Sequence, residues 1–147
     1  ASSWASPAEA GHAARQALAW TDVVLGNEDE LSLLTGQQET RLQAQAALDF
    51  GVKIVICKLG AKGVVAHTAD SACSAQPIPI EVVSTIGAGD GFASGFLYAL
   101  DRNLPLEECL RYGNAAAAVV VSRVSCSDAM PRPEELADLL GETKPPA

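Results

Sequence analysis

Two short β-branched runs, residues 22–27 and 53–59, are each bounded by segments of helical periodicity, and this alternation restricts the chain more than any other feature. Apolar runs of that length suit strands covered on both faces, and strands separated by helices build a sheet of the α/β class. Asp22-Val23-Val24-Leu25-Gly26-Asn27 ends in a polar turn, the form of a buried parallel strand whose C-terminal end meets a site. Lys53-Ile54-Val55-Ile56-Cys57-Lys58-Leu59 repeats the pattern.

The remaining elements follow from caps and breakers. Residues 8–20 are alanine-rich and periodic, with Ser6 as N-cap and Pro7 at the first helical position. Asn27 caps a helix over residues 28–34 that Gly36 stops, and another spans residues 39–50 and ends at Gly51. Gly60-Ala61-Lys62-Gly63 turns the chain into Val64-Val65-Ala66-His67, an antiparallel partner strand, with Lys62 and His67 at the surface. Residues 76–83 are extended but carry Pro77 and Pro79, which suits a sheet edge. From Ala88 the chain turns helical: Phe92, Phe96 and Leu100 form one apolar face, and Gly91, Ala93, Ser94 and Gly95 permit close approach of the sheet. Helices over residues 106–122 and 133–140 complete the pattern, and residues 143–147 read as a flexible tail.

Composition excludes several functions. A net charge of −8 with no lysine or arginine cluster disfavours nucleic acid, and 48% hydrophobic residues argue against disorder. The four cysteines form no C-x-x-C pair and have only His12 and His67 beside them, so reduced, mostly buried thiols are expected rather than a zinc site. The apolar run over residues 115–121 is far short of a membrane span and no secretory signal precedes the first helix, so a cytoplasmic protein is expected. The first residue is not Met, which implies an origin inside a longer reading frame or processing.

Chemistry concentrates at Ser84-Thr85-Ile86-Gly87-Ala88-Gly89-Asp90-Gly91-Phe92. Gly87 and Gly89 clear side chains from a turn that opens a helix, where backbone N–H groups can converge on phosphate oxygens. A carboxylate in the first helical turn repels a bound anion, so Asp90 points to proton transfer rather than simple phosphate binding; otherwise it is a residue complementing the helix dipole. No Lys-Ser or Lys-Thr follows, as a P-loop requires, and Phe92 stands where a dinucleotide fingerprint needs glycine, which disfavours an NAD-dependent oxidoreductase.

Thr85-x-Gly87-Ala88-Gly89-Asp90 resembles the C-terminal signature of the ribokinase or phosphofructokinase-B family of carbohydrate kinases. Three further strings agree in order: Asn27-Glu28-Asp29-Glu30 is similar to the family's N-x-x-E, Lys58-Leu59-Gly60-Ala61-Lys62-Gly63 to its strand-end nucleotide loop, and Gly113-Asn114-Ala115-Ala116-Ala117 to its late helix beside the adenine. The resemblance implies a ribokinase-like three-layer α/β/α doubly wound sheet. Residues 1–142 would form its C-terminal portion, without the N-terminal half and the β-lid. It also implies ATP and Mg²⁺ as cofactors and a small-molecule sugar or sugar acid as substrate. Neither membrane nor nucleic acid is implied, and a homodimer of the full-length protein would form through the lid.

The same resemblance makes Asp90 the general base and the amides of Gly87, Ala88 and Gly89 the anion hole. Asn27 and Glu30, three apart, either order Mg²⁺ through water, cap their helix, or do both. Lys58, Gly60 and Gly63 face the nucleotide, with a solvated Lys58 the alternative, and Asn114 reaches either the adenine or a neighbouring loop. Ser84 stands where many members carry an aspartate tied to a monovalent cation, which leaves K⁺ activation without that charge.

A second string, Val121-Ser122-Arg123-Val124-Ser125-Cys126-Ser127-Asp128-Ala129-Met130-Pro131 followed by Pro133-Glu134-Glu135-Leu136, is similar to the tail of the subgroup that phosphorylates 5-dehydro-2-deoxygluconate in inositol breakdown. Trp4-Ala5-Ser6-Pro7 matches a W-x-S-P segment of that subgroup, whereas Ser125 replaces its usual glycine. Ribokinase, fructokinase and 2-keto-3-deoxygluconate kinase activities, or a non-catalytic nucleotide-binding fragment, are the alternatives. With the sugar pocket expected in the N-terminal half, the isolated chain is expected to phosphorylate its sugar poorly or not at all.

Overall fold

The computed structural model describes residues 6–124 and 127–142. Trp4, Ser125, Cys126 and the expected tail, residues 143–147, lie outside the described residues. The elements run α1 (Pro7–Leu18), β1 (Val23–Asn27), α2 (Glu28–Thr35), α3 (Thr40–Asp49), β2 (Ile54–Lys58), a single 3₁₀ turn (Gly60–Lys62), β3 (Val64–His67), β4 (Ala72–Ala75), α4 (Ala88–Asp101), α5 (Leu106–Val121), a second 3₁₀ turn (Ser127–Ala129) and α6 (Pro133–Leu140). The strands lie in the order β1-β2-β3-β4, with β1 and β2 parallel. The chain divides into two compact units, one of residues 1–60 and 65–73, the other of residues 61–64 and 74–147.

In the first unit the expected caps are in place. The Ser6 side chain accepts from the Glu9 N–H at 3.1 Å, Pro7 opens α1, and Gly36 closes α2. Leu31 and Leu34 of α2, Ala44 and Ala47 of α3 and Val55 and Cys57 of β2 form one buried cluster with Leu18 and Val52. Val55 and Cys57 share a strand face because side chains alternate, so this cluster seats α2 and α3 on one side of β2. Cys57 is a core group: burial, then the Glu28 carboxylate, pushes its thiol up and keeps it protonated. His67 is half-buried rather than at the surface, and burial, then Arg41, pushes it down.

The second unit is built on α4 against α5. The Phe92 and Phe96 rings stack with centroids 6.2 Å apart, and the Tyr98 ring lies 5.9 Å from that of Tyr112. The small residues of α4 serve this helix pair, not the sheet as expected: a Cβ on Gly95 would strike the Tyr112 carbonyl oxygen and lie 2.7 Å from the Ala116 Cβ. One on Gly91 would lie 2.8 Å from a Val120 methyl. The two helices therefore approach along glycine.

Residues 76–83, expected as an edge strand, form no strand. Pro77 and Pro79 offer no N–H to a ladder, and the strand forms just upstream as β4. Among the described residues, no helix is long and apolar enough to cross a membrane.

Candidate active site

In the first unit the candidates gather at the C-terminal ends of parallel strands. Asn27 ends β1, Lys58 ends β2, and the two are register partners. Asn27 is also the N-cap of α2: its Oδ1 accepts the Glu30 N–H at 2.8 Å, while Glu30 Oε2 accepts the Asn27 N–H at 2.8 Å. This capping box satisfies two N–H groups that the first helical turn leaves open. Both residues are exposed and Lys58 is half-buried. Buried Gln43 on α3 supports this corner by donating from Nε2 to the Glu28 carbonyl at 2.9 Å and the Gln37 carbonyl at 3.1 Å. Gly60 follows β2 with φ 58° and opens the 3₁₀ turn.

In the second unit Gly63 and Asn114 meet at one atom. The Asn114 amide donates to the Ala75 carbonyl at 3.4 Å and to the Gln76 carbonyl at 2.8 Å. A Cβ on Gly63, whose φ is 88°, would strike the same Ala75 oxygen. Asn114 thus satisfies a neighbouring loop with its nitrogen, one of its two expected roles.

The glycine turn opens α4. Gly87 is the N-cap with φ 84°, a conformation in which a side chain is strained, and it has no side chain with which to cap. Asp90 is the third residue of the helix and is exposed. The Ala88 N–H is directed at the Thr85 carbonyl at 3.3 Å, a long bond, and Ser84 Oγ accepts the Ile86 N–H at 3.3 Å. The turn rests on α5 at both ends: the Val83 and Ser84 N–H groups donate to the Val121 carbonyl at 2.7 and 3.0 Å, and Gly91 faces Val120.

Residues 1–133 match the pfkB family carbohydrate kinases. The chain belongs to this family. A pfkB-family relative, a 5-dehydro-2-deoxygluconokinase of Listeria monocytogenes, is 40% identical over 126 residues, which make up 84% of this chain and 39% of the relative. A fructokinase of Vibrio cholerae, solved with fructose, ADP and calcium, superposes with a TM-score of 0.83 at 29% identity, over 93% of this chain and 46% of its own. A ribokinase of Arabidopsis thaliana, solved with ribose and ATP, superposes with a TM-score of 0.78 at 34% identity, over 86% of this chain and 43% of its own. The chain has a ribokinase-like fold and spans about two fifths of the length of the curated relatives it matches, 39% of the Listeria protein.

One pairing in this pfkB-family chain escaped the sequence reading. Arg123 and Glu135 belong to a string that was legible as a string, yet their contact was not. The Arg123 guanidinium hydrogen-bonds to Glu135 Oε1, and its other nitrogen donates to the Ala129 carbonyl at 3.1 Å. The available signal was a lone arginine just past a helix end, with a carboxylate in the first turn of the next helix.

Proposed function

We propose that this chain carries the nucleotide side and the general base of an ATP-dependent sugar kinase, moving phosphoryl from ATP to a hydroxyl of a sugar or sugar acid. The observation that supports this most is the start of α4, where a glycine N-cap leaves backbone donors open and the exposed Asp90 stands in the same first turn. Donors fixed at a helix N-terminus stabilise the charge that develops on a migrating phosphoryl group, and a carboxylate beside them collects the proton of the attacking hydroxyl. In this reading the amides of Gly87, Ala88 and Gly89 form the anion hole, and the Ala88 amide exchanges the Thr85 carbonyl for a phosphate oxygen. Gly60, Gly63, Lys58 and Asn114 serve the nucleotide side. Asn114 Oδ1 is the atom left for a base amine, because its nitrogen holds the loop after β4.

Asn27 and Glu30 suit Mg²⁺ only as outer partners. The single side-chain oxygen of Asn27 and one of the two of Glu30 are held in the capping box, and among the described residues no three His, Cys, Asp or Glu side chains gather into a protein cage. A small cation that keeps most of its water and binds phosphate oxygens needs no such cage. Bound there, Mg²⁺ would neutralise phosphate charge. No carboxylate stands at position 84 for a monovalent cation, so the reading assigns no K⁺ requirement.

The 40% identity to a 5-dehydro-2-deoxygluconokinase favours 5-dehydro-2-deoxygluconate, an intermediate of inositol breakdown, as the acceptor. A nucleotide-binding fragment without turnover is the second reading, favoured by the 39% share of the relative that the chain spans. Titration calorimetry with MgATP, followed by ADP release with 5-dehydro-2-deoxygluconate, ribose and fructose, separates them. MgATP binding with turnover highest on the ketose acid supports the first reading, and binding without turnover supports the second. Absence of MgATP binding overturns both.

A further inference from the structure

We propose that Arg123 and Glu135 are a positioning pair for the glycine turn, anchoring the end of α5 from which that turn hangs; the role rests on the kinase reading above. The Val121 carbonyl is one of the four that an α-helix leaves without an intrahelical partner, and it receives both the Val83 and Ser84 N–H groups at the entry to the turn. At the exit, Gly91 lies against Val120 so closely that a Cβ would overlap its methyl. Both borders of residues 84–90 thus depend on the last turn of a helix, the part of a helix that frays most readily.

Arg123 follows that turn directly, its own N–H still bonded to the Val120 carbonyl at 3.2 Å. Its side chain runs away from α5 to a fixed point. Glu135 is held at the other side by the Arg132 N–H, which donates to Oε2 at 2.8 Å at the start of α6. The second guanidinium nitrogen takes the Ala129 carbonyl, and the next residue, Met130, places its sulfur 3.9 Å from Ser94 Oγ, one turn beyond Asp90 on α4. A fork of donors can hold a carboxylate and a carbonyl at once, which a lysine cannot do in the same plane.

Both side chains are more than one third exposed, at 38% and 39%, so the pair contributes little to global stability. Its loss should loosen the turn locally. The test is amide hydrogen exchange by mass spectrometry on the 147-residue chain, comparing Arg123→Gln, Glu135→Gln and Arg123→Lys. Exchange at Val83 and Ser84 is expected to accelerate about tenfold in Arg123→Gln and in Glu135→Gln while α2 and α3 stay unchanged, with partial recovery in Arg123→Lys, which keeps the charge toward Glu135 but not the second donor toward the Ala129 carbonyl. MgATP affinity, measured in parallel, is expected to fall and recover in step. Unchanged exchange at Val83 and Ser84, or acceleration spread evenly over α4, α5 and α6, overturns the positioning role. The exchange readout needs no nucleotide, so failure of the unaltered chain to bind MgATP overturns the kinase reading separately.

Discussion

Asn27 and Lys58 are register partners at the C-terminal ends of β1 and β2, so the residue that caps α2 stands beside the cation that ends the neighbouring strand. Asn27 therefore carries a structural duty that any metal duty must share. Asn27→Ala should lower stability by about 1 kcal/mol through loss of the cap, seen as a lower denaturant midpoint. Glu30→Gln keeps an acceptor for the Asn27 N–H and should leave stability within about 0.5 kcal/mol, yet raise the Mg²⁺ concentration needed for ATP binding. Equal Mg²⁺ requirements in Glu30→Gln and the unaltered chain would remove Glu30 from the metal side.

Asp90→Asn tests the base. Sugar-dependent ADP release should fall by about 10²–10⁴-fold, the usual worth of a positioned general base. MgATP affinity should hold or improve slightly, since a negative charge leaves the neighbourhood of the phosphates. A variant that loses ATP binding and turnover together would mean that Asp90 shapes the turn rather than moving a proton.

Gly95→Ala probes the α4–α5 contact. Its methyl would meet the Tyr112 carbonyl and the Ala116 Cβ, so the helices must part, at a cost of about 1–3 kcal/mol. Thermal unfolding would show it as a lowered midpoint. A stability equal to that of the unaltered chain would show that the helix pair yields without cost.

The Tyr112 hydroxyl donates to Glu142 at 2.5 Å, and its ring is fully buried. Burial, then the Glu142 carboxylate, raises its pKa above the ordinary 10.0. The folded chain therefore keeps the phenolic proton above pH 10, where the unfolded chain has released it. Stability should accordingly be level below that pH and fall above it, by up to about 1.4 kcal/mol per pH unit. In Tyr112→Phe this alkaline fall should shrink, as urea midpoints measured between pH 8 and pH 11 would show; an identical fall would place its origin elsewhere.

Local chemistry made much of the fold legible. Ser6, Asn27 and Gly36 bound their helices as their side chains and backbone freedom dictate, and the runs ending at Asn27 and Lys58 became parallel neighbours. Errors arose where a residue's role depends on what lies opposite. Nothing local says whether Gly91 and Gly95 face a sheet or a helix, and α5 is 11 or more residues away in sequence. β4 was missed because Ala72, Cys73, Ser74 and Ala75 have weak strand preference and are recruited by a neighbouring strand. At the site, the order of Gly87, Ala88, Gly89 and Asp90 disclosed the helix start, since glycine and a first-turn carboxylate are short-range signals. The use of the Asn114 nitrogen on the loop after β4 was open in the sequence, and a partner 38 residues away decided it.

The loop after β4 has a consequence for anyone who would vary residues 63 and 114. Because Gly63 leaves room for the Ala75 oxygen and Asn114 holds the same loop, chiefly at the Gln76 carbonyl, a side chain introduced at 63 would displace the stretch that orients the amide at 114. Substitutions at the two positions should be epistatic, and libraries that vary one while fixing the other would sample mostly misaligned pairs.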